Sequence, residues 1–217
     1  MRRIEQIGKQ HIGGGVEKSA VATDDHTARL LLHDRDLTDD QVHSLFLLQR
    51  LAYLLFPREV PYPKDWGRNK SEEPYVDVER IPIDAHHRDE QVKLGHVLPH
   101  SEPNAHEIEY YKKLKNSEAV KKARALLANK LANAGFKLEG KRENFSHAEG
   151  KVRFLDFTPA WTKWEDSSDP YLLHFEPEKL RKAIESIPDP ERNREAMNRF
   201  NELMAIVPKK ALENVEI

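Results

Sequence analysis

The chain has no cysteine among its 217 residues, which excludes a disulfide scaffold, a thiolate zinc site and a cysteine nucleophile. It also has little net charge. Lys and Arg nearly balance Asp and Glu, leaving a formal −2, so neither the basic excess of a nucleic-acid binder nor an acidic tail is visible. No apolar run approaches the roughly 20 residues that a membrane span requires, and Met1-Arg2-Arg3 leads into a polar stretch rather than a signal peptide. The serines sit in no Gly-x-Ser-x-Gly elbow and no His-Glu-x-x-His occurs, so a hydrolase of that type and a helical zinc site lack their signatures. No internal repeat or low-complexity segment is present. The expectation is one soluble, cytoplasmic domain with neither a membrane nor a nucleic-acid partner.

What is present is a run of strand-like segments followed by helical ones. Arg3 to Gly8, then Gly13 through Val16 to Thr23, predict two strands joined by a glycine-rich turn, and Thr27 to Leu32 predicts a third after Asp24-Asp25. Thr38 or Asp39 can cap a helix running to Phe56, with acidic residues at its positive end and Pro57 just beyond it. That helix is apolar almost all round, as a buried one is. Pro61 to Lys70 reads as loop and Pro74 to Pro82 as a strand. Helices are expected at Ala105 to Leu114 and at Ser117 to Ala134, the second stopped by Gly135. Others are expected at Glu176 to Ser186 and, after the Pro188-Asp189-Pro190 turn, at Glu191 to Ile206. Strands first and helices after predict an α+β fold with segregated layers. The histidines between His86 and His106 fall in a proline-broken stretch and read as surface rather than metal ligands. Trp161, Trp164, Phe157 and Tyr171 read as packing residues.

Two motifs follow the Gly135 stop. Glu139-Gly-Lys-Arg-Glu-Asn144 precedes a hairpin-like stretch that ends in Asp156-Phe157-Thr158. Their order and spacing resemble the catalytic loop and metal loop of protein-kinase-like phosphotransferases, Asp-x-Lys-x-x-Asn followed by Asp-Phe-Gly. The elements from Arg3 to Trp161 look like a small, atypical member of that fold, nearer the compact bacterial sugar and antibiotic kinases, active or as a pseudokinase. The resemblance implies a bilobal molecule. Residues 1–82 would form an antiparallel-sheet lobe with one helix, and residues 83–217 a short, mainly helical lobe carrying both motifs. It implies ATP and Mg²⁺ as cofactors, with an unidentified hydroxyl acceptor or protein partner.

The same resemblance implies roles. Gly8, Gly13 and Gly14 would cover the phosphates, since absent side chains let backbone N–H groups approach. Glu79 and Ile81 would meet an adenine edge through the backbone. Glu139 would orient the acceptor hydroxyl, Lys141 would stabilise the phosphoryl group in transit, and Asn144 and Asp156 would hold Mg²⁺ through oxygen. Three departures stand out. The third strand carries no lysine, leaving Arg29, or a residue from elsewhere such as Lys18, to meet the α/β-phosphates. The preceding helix offers Gln49 where a glutamate would pair with that lysine. Glu139 stands for Asp and Thr158 for Gly. Three readings therefore stay open: a phosphotransferase acting on a small-molecule or protein hydroxyl, a degenerate module that binds or regulates, and an unrelated α+β interaction protein that matches the motifs by chance.

Overall fold

The alternation of apolar and polar side chains in the first eighty residues builds a five-stranded antiparallel sheet. The computed structural model describes residues 10–14, 18–80, 118–138, 145–148, 151–163 and 171–213. The strands are β1 Gln10–Gly14, β2 Lys18–Asp24, β3 Thr27–Leu32, β4 Pro63–Arg68 and β5 Pro74–Glu79, arranged β1-β2-β3-β5-β4. Gly13 and Gly14, expected in the turn, lie within β1; the Arg3 to Gly8 segment, expected as a strand, is outside the described residues.

Register decides which side chains share a face, because directly opposed residues project together. Lys18 faces Leu32, Ala20 faces Leu30 and Ala22 faces Ala28, while Leu30 and Ala28 continue to Val76 and Val78 of β5. Ala22, Ala28, Leu32, Val76 and Val78 are all buried, so this is the face turned to the core. Val21, Arg29 and Asp77 belong to the other face.

Helix α1, Asp39–Leu55, sits between β3 and β4 in the chain. Its start is local chemistry. The Thr38 hydroxyl accepts the Gln41 N–H at 3.2 Å, and the Gln41 side chain takes the Thr38 N–H at 3.0 Å, a reciprocal cap. Its apolar circumference follows from its position, with strands β4 and β5 on one side and the helix Pro190–Ile206 on another. Val42, Leu45, Leu47, Leu48, Leu51 and Leu54 are buried.

Pro61 to Lys70, expected as loop, contains β4 at the edge of the sheet. Its Pro63, Lys64, Asp65 and Arg68 are residues that local propensity argues against. They suit an edge, where a missing N–H is harmless and charge discourages further pairing.

The second half of the chain carries α2 Glu118–Asn133, hairpin β6 Phe145–Ala148 with β7 Lys151–Phe154, and hairpin β8 Trp161–Lys163 with β9 Tyr171–Leu173. Helices α3 Pro177–Glu185, α4 Pro190–Ile206 and α5 Lys209–Glu213 follow. The β8/β9 hairpin and α5 were not expected from sequence. Ala105 to Leu114 and His86 to His106 lie outside the described residues. One continuous core joins Ala28 and Leu51 to Leu131, Phe157, Leu180 and Leu203. The architecture is α+β, and no described helix is long and apolar enough to cross a membrane.

Helix α4 packs on α1. Arg50 Nε donates to Glu195 at 2.9 Å, and His43 Nε2 lies 3.2 Å from a Glu202 carboxylate oxygen. The His43 ring also stacks on Trp66 at 4.4 Å between centroids. Burial lowers the His43 pKa below its ordinary value and outweighs the opposing pull of Glu202 and Asp40; Arg199 adds to the lowering. The unfolded chain therefore takes up the proton first. This contribution to stability is complete above the unfolded pKa of about 6.5 and is lost progressively as the pH falls below it. We expect His43→Gln to flatten the loss of stability between pH 7.5 and 5.5 seen by urea denaturation. A wild type that gains stability on acidification relative to the variant would show that the Glu202 pairing dominates instead.

Candidate functional site

Lys18 is the first residue of β2, and it projects from the core face beside Leu32. Its ammonium donates to Asp156 Oδ1 and to the Phe157 carbonyl, across 138 residues of sequence in the first case. The lysine side chain is 15% exposed and the Asp156 side chain 35%. That asymmetry matters. The cation is largely covered and needs acceptors, whereas the carboxylate keeps an accessible side from which to meet a ligand.

Asp156 is held there by its apolar neighbours. Phe154 closes β7 and is fully buried, and Phe157 is 2% exposed. Their rings meet edge to face at 4.9 Å, and Phe157 meets Phe136 in the same manner at 6.1 Å. Anchoring the residues on either side leaves Asp156 little freedom to turn elsewhere.

Arg29 has a different position. It lies on the opposite sheet face from Lys18, where Nε and Nη2 each reach an Asp77 carboxylate oxygen at 2.7 Å. Its guanidinium also stacks 3.7 Å above the Tyr75 ring. Asp77 stands directly across from Asp65 of β4, so an uncompensated like-charge pair would weaken the sheet edge. The hydrogen bond to Asp77 raises the Arg29 pKa further. The cation that accompanies Asp156 is thus Lys18, and Arg29 neutralises the outer face.

The remaining sequence-derived positions are placed as follows. Gly13 and Gly14 lie opposite Ala20 and Ser19 at the end of β1, after an irregularity in register. Glu79 ends β5; its N–H donates to the Tyr62 carbonyl at 2.7 Å, and its carboxylate lies 4.0 Å from Arg153. Gln49 is buried in α1, and its Nε2 has no hydrogen-bond partner among the described residues. Gly8, Ile81, Glu139, Lys141 and Asn144 lie outside the described residues, as does Trp164. Phe157 and Trp161 are core, as expected.

The donor set at Asp156 restricts what metal could bind. No group of three or more His, Asp or Glu side chains suited to a metal exists among the described residues. A single hard carboxylate oxygen fits Mg²⁺, which keeps several waters and takes one or two carboxylates together with substrate phosphates. It does not fit an ion that needs a full protein cage. Elsewhere, a hollow of about 560 Å³ lies between α1 and α4, lined by Leu54, Asp189, Arg192, Glu195 and neighbours, without Lys18 or Asp156. Acidic and basic groups are mixed there, so it presents no one-signed field to a phosphate.

One contributor carried only a faint signal in the sequence. Ser44, set in α1 between His43 and the apolar run Leu45 to Leu48, bonds to the segment that follows Asp156. No protein-family model matches the chain, and no curated protein matches it.

Proposed function

We propose that this chain is a bilobal, protein-kinase-like protein of the cytoplasm that binds ATP with Mg²⁺ and transfers phosphate to a hydroxyl of a small molecule or protein. One observation carries the reading: the ammonium of Lys18, at the start of β2, meets the carboxylate of Asp156 in the metal-loop-like segment. A cation for phosphate and an oxygen ligand for Mg²⁺ are thereby paired, as the chemistry of phosphoryl transfer needs. An antiparallel sheet with one helix within residues 10–80 is also in keeping with the smaller lobe the resemblance implies.

In this reading Lys18 releases Asp156 when nucleotide arrives and turns its ammonium to the phosphate oxygens. Asp156 is the carboxylate that would hold Mg²⁺, which when bound neutralises charge on the phosphates. Glu139 orients the acceptor hydroxyl and accepts its proton, Lys141 faces the phosphoryl group, and Asn144 supplies a second oxygen. Gly8, Gly13 and Gly14 offer backbone N–H groups, and Glu79 and Ile81 line the adenine edge. The degenerate-module reading has one observation in its favour: Gln49 is a buried neutral amide where a glutamate would otherwise hold the lysine.

Thermal melting with ATP tests the proposal. At ATP tenfold above its dissociation constant the native state gains about 1.4 kcal/mol, which for a chain of this size raises Tm by roughly 3–6 °C. The gain should be larger with Mg²⁺ than without it, and Asp156→Asn should remove the difference. Glu139→Gln should abolish phosphate loss from ATP and leave the thermal response intact. A Tm indifferent to millimolar Mg-ATP sinks the nucleotide reading. A normal thermal response with no turnover in the wild type selects the degenerate module.

A further inference from the structure

The segment bearing Asp156 is pinned on both sides, once to the turn after α1 and once to α1 itself. Two residues before it, the Phe154 N–H donates to the carbonyl of Glu59, in the turn that follows α1, at 2.9 Å. Four residues after it, the Ala160 N–H donates to the Ser44 hydroxyl of α1 at 2.9 Å. Ser44 and Ala160 are both fully buried. Pro159 has no N–H, so Ala160 provides the first backbone donor after Thr158.

Ser44 is costly in this place unless its bonding is needed. A hydroxyl within a buried apolar helix must have partners, and Ser is a poorer helix former than the Leu and Ala around it. Here both capacities are used: the hydroxyl donates to the Gln41 carbonyl at 2.7 Å and accepts from Ala160. The bond to Gln41 only duplicates a helix contact. The bond to Ala160 ties two segments 116 residues apart.

We propose that Ser44 is a positioning residue for Asp156: its hydroxyl fixes the Asp156-bearing segment to α1, so that the carboxylate stays within reach of Lys18. The proposal rests on the nucleotide reading for its functional consequence, though not for its structural one. Because α4 grips α1 through Arg50 and His43, the position of Asp156 is tied through α1 to α4.

The test compares Ser44→Ala, Ser44→Thr and, as a control on the same helix, Val42→Ala, which removes buried apolar volume without touching Ala160. Amide hydrogen exchange at Phe157, Thr158 and Ala160 reads the anchoring without any ligand. The ratio of ATP dissociation constants without and with Mg²⁺ reads its consequence. Ser44→Ala should speed exchange at these amides about tenfold relative to the rest of the chain. It should also cut the Mg²⁺ advantage by a similar factor and leave Mg²⁺-free ATP binding within about twofold. Ser44→Thr, which keeps the hydroxyl, should restore both, and Val42→Ala should change neither selectively. Should Ser44→Ala not fold, Ser44→Cys, a weaker acceptor of similar shape, replaces it. Unchanged local exchange in a folded Ser44→Ala overturns the proposal, as does faster exchange with an undiminished Mg²⁺ advantage. A wild type that binds no ATP defeats the nucleotide reading alone, and the exchange data still decide whether Ser44 anchors Asp156.

Discussion

Lys18→Met should weaken Mg-ATP binding by roughly a hundredfold, because it removes the charge-assisted bond the ammonium would make to the phosphates; truncating one partner of such a pair across a binding interface costs about 2–5 kcal/mol, with each tenfold about 1.4 kcal/mol. Arg29→Met should leave that affinity within about twofold, since its guanidinium faces away from Asp156 and is engaged by Asp77. Its effect should fall on stability instead. Asp77 has an 11% exposed side chain and would be left opposite Asp65 with no cation. Breaking a buried pair costs about 3–5 kcal/mol. Arg29 is itself about a quarter exposed, so solvent screening reduces the expected loss to about 2 kcal/mol. Calorimetric titration together with urea denaturation separates the two effects. The reverse pattern, with Arg29→Met losing nucleotide and Lys18→Met keeping it, would remove Lys18 from the site.

The largest stability effect is expected at Gly135. Its φ is +95°, a conformation that side chains rarely adopt, and it ends α2. A Cβ built there would stand 2.8 Å from the Leu180 nitrogen and 2.9 Å from the Glu176 oxygen, both backbone atoms at the start of α3. The Gly135 carbonyl also accepts the Glu176 N–H at 2.7 Å, so the close approach is part of how α3 docks. Gly135→Ala combines backbone strain of order 1–3 kcal/mol with a forced displacement of about 1–3 kcal/mol. A loss near 3 kcal/mol should lower Tm by roughly 6–12 °C. Gly135→Asn is the informative companion. Asn tolerates positive φ at helix ends, so it would rescue the protein if conformation were the whole difficulty. We expect it to fail nearly as badly as Ala, because the clash with α3 remains. Equal stability of Gly135→Asn and wild type would show that α3 yields.

Signals contained within a few residues were legible in the sequence. Thr38 or Asp39 marked the start of α1, and the structure selects Thr38; Pro57 marked its end, Gly135 the end of α2, and Asp189-Pro190 the start of α4, where the Asp189 side chain accepts the Arg192 N–H at 2.8 Å. Strands β3 and β5 were legible as well, because central strands are rich in apolar and β-branched residues on the covered face. The α+β arrangement followed from that order of elements.

Edge and short elements were not legible. β4 reads as loop because its Pro, Gly and charged residues are admissible only next to an already formed β5. The three-residue strands β8 and β9 have too little pattern to declare themselves. At the site, sequence spacing singled out Asp156, but it left the accompanying cation open between Arg29 and Lys18. Register settled that choice: a shift of one position along β2 would turn Lys18 off the core face, and one along β3 would bring Arg29 onto it. It also could not reveal that Ser44 meets Ala160 or that α4 closes over α1. The sequence by itself determined where α1, α2, α3 and α4 begin and end, since caps and stops act through neighbouring residues. The pairing of Lys18 with Asp156, the neutralisation of Asp77 by Arg29 and the anchoring of Ala160 by Ser44 were decided only by tertiary structure. Each joins residues dozens to more than a hundred positions apart, and such partners are chosen by strand register and side-chain packing, which no local propensity encodes.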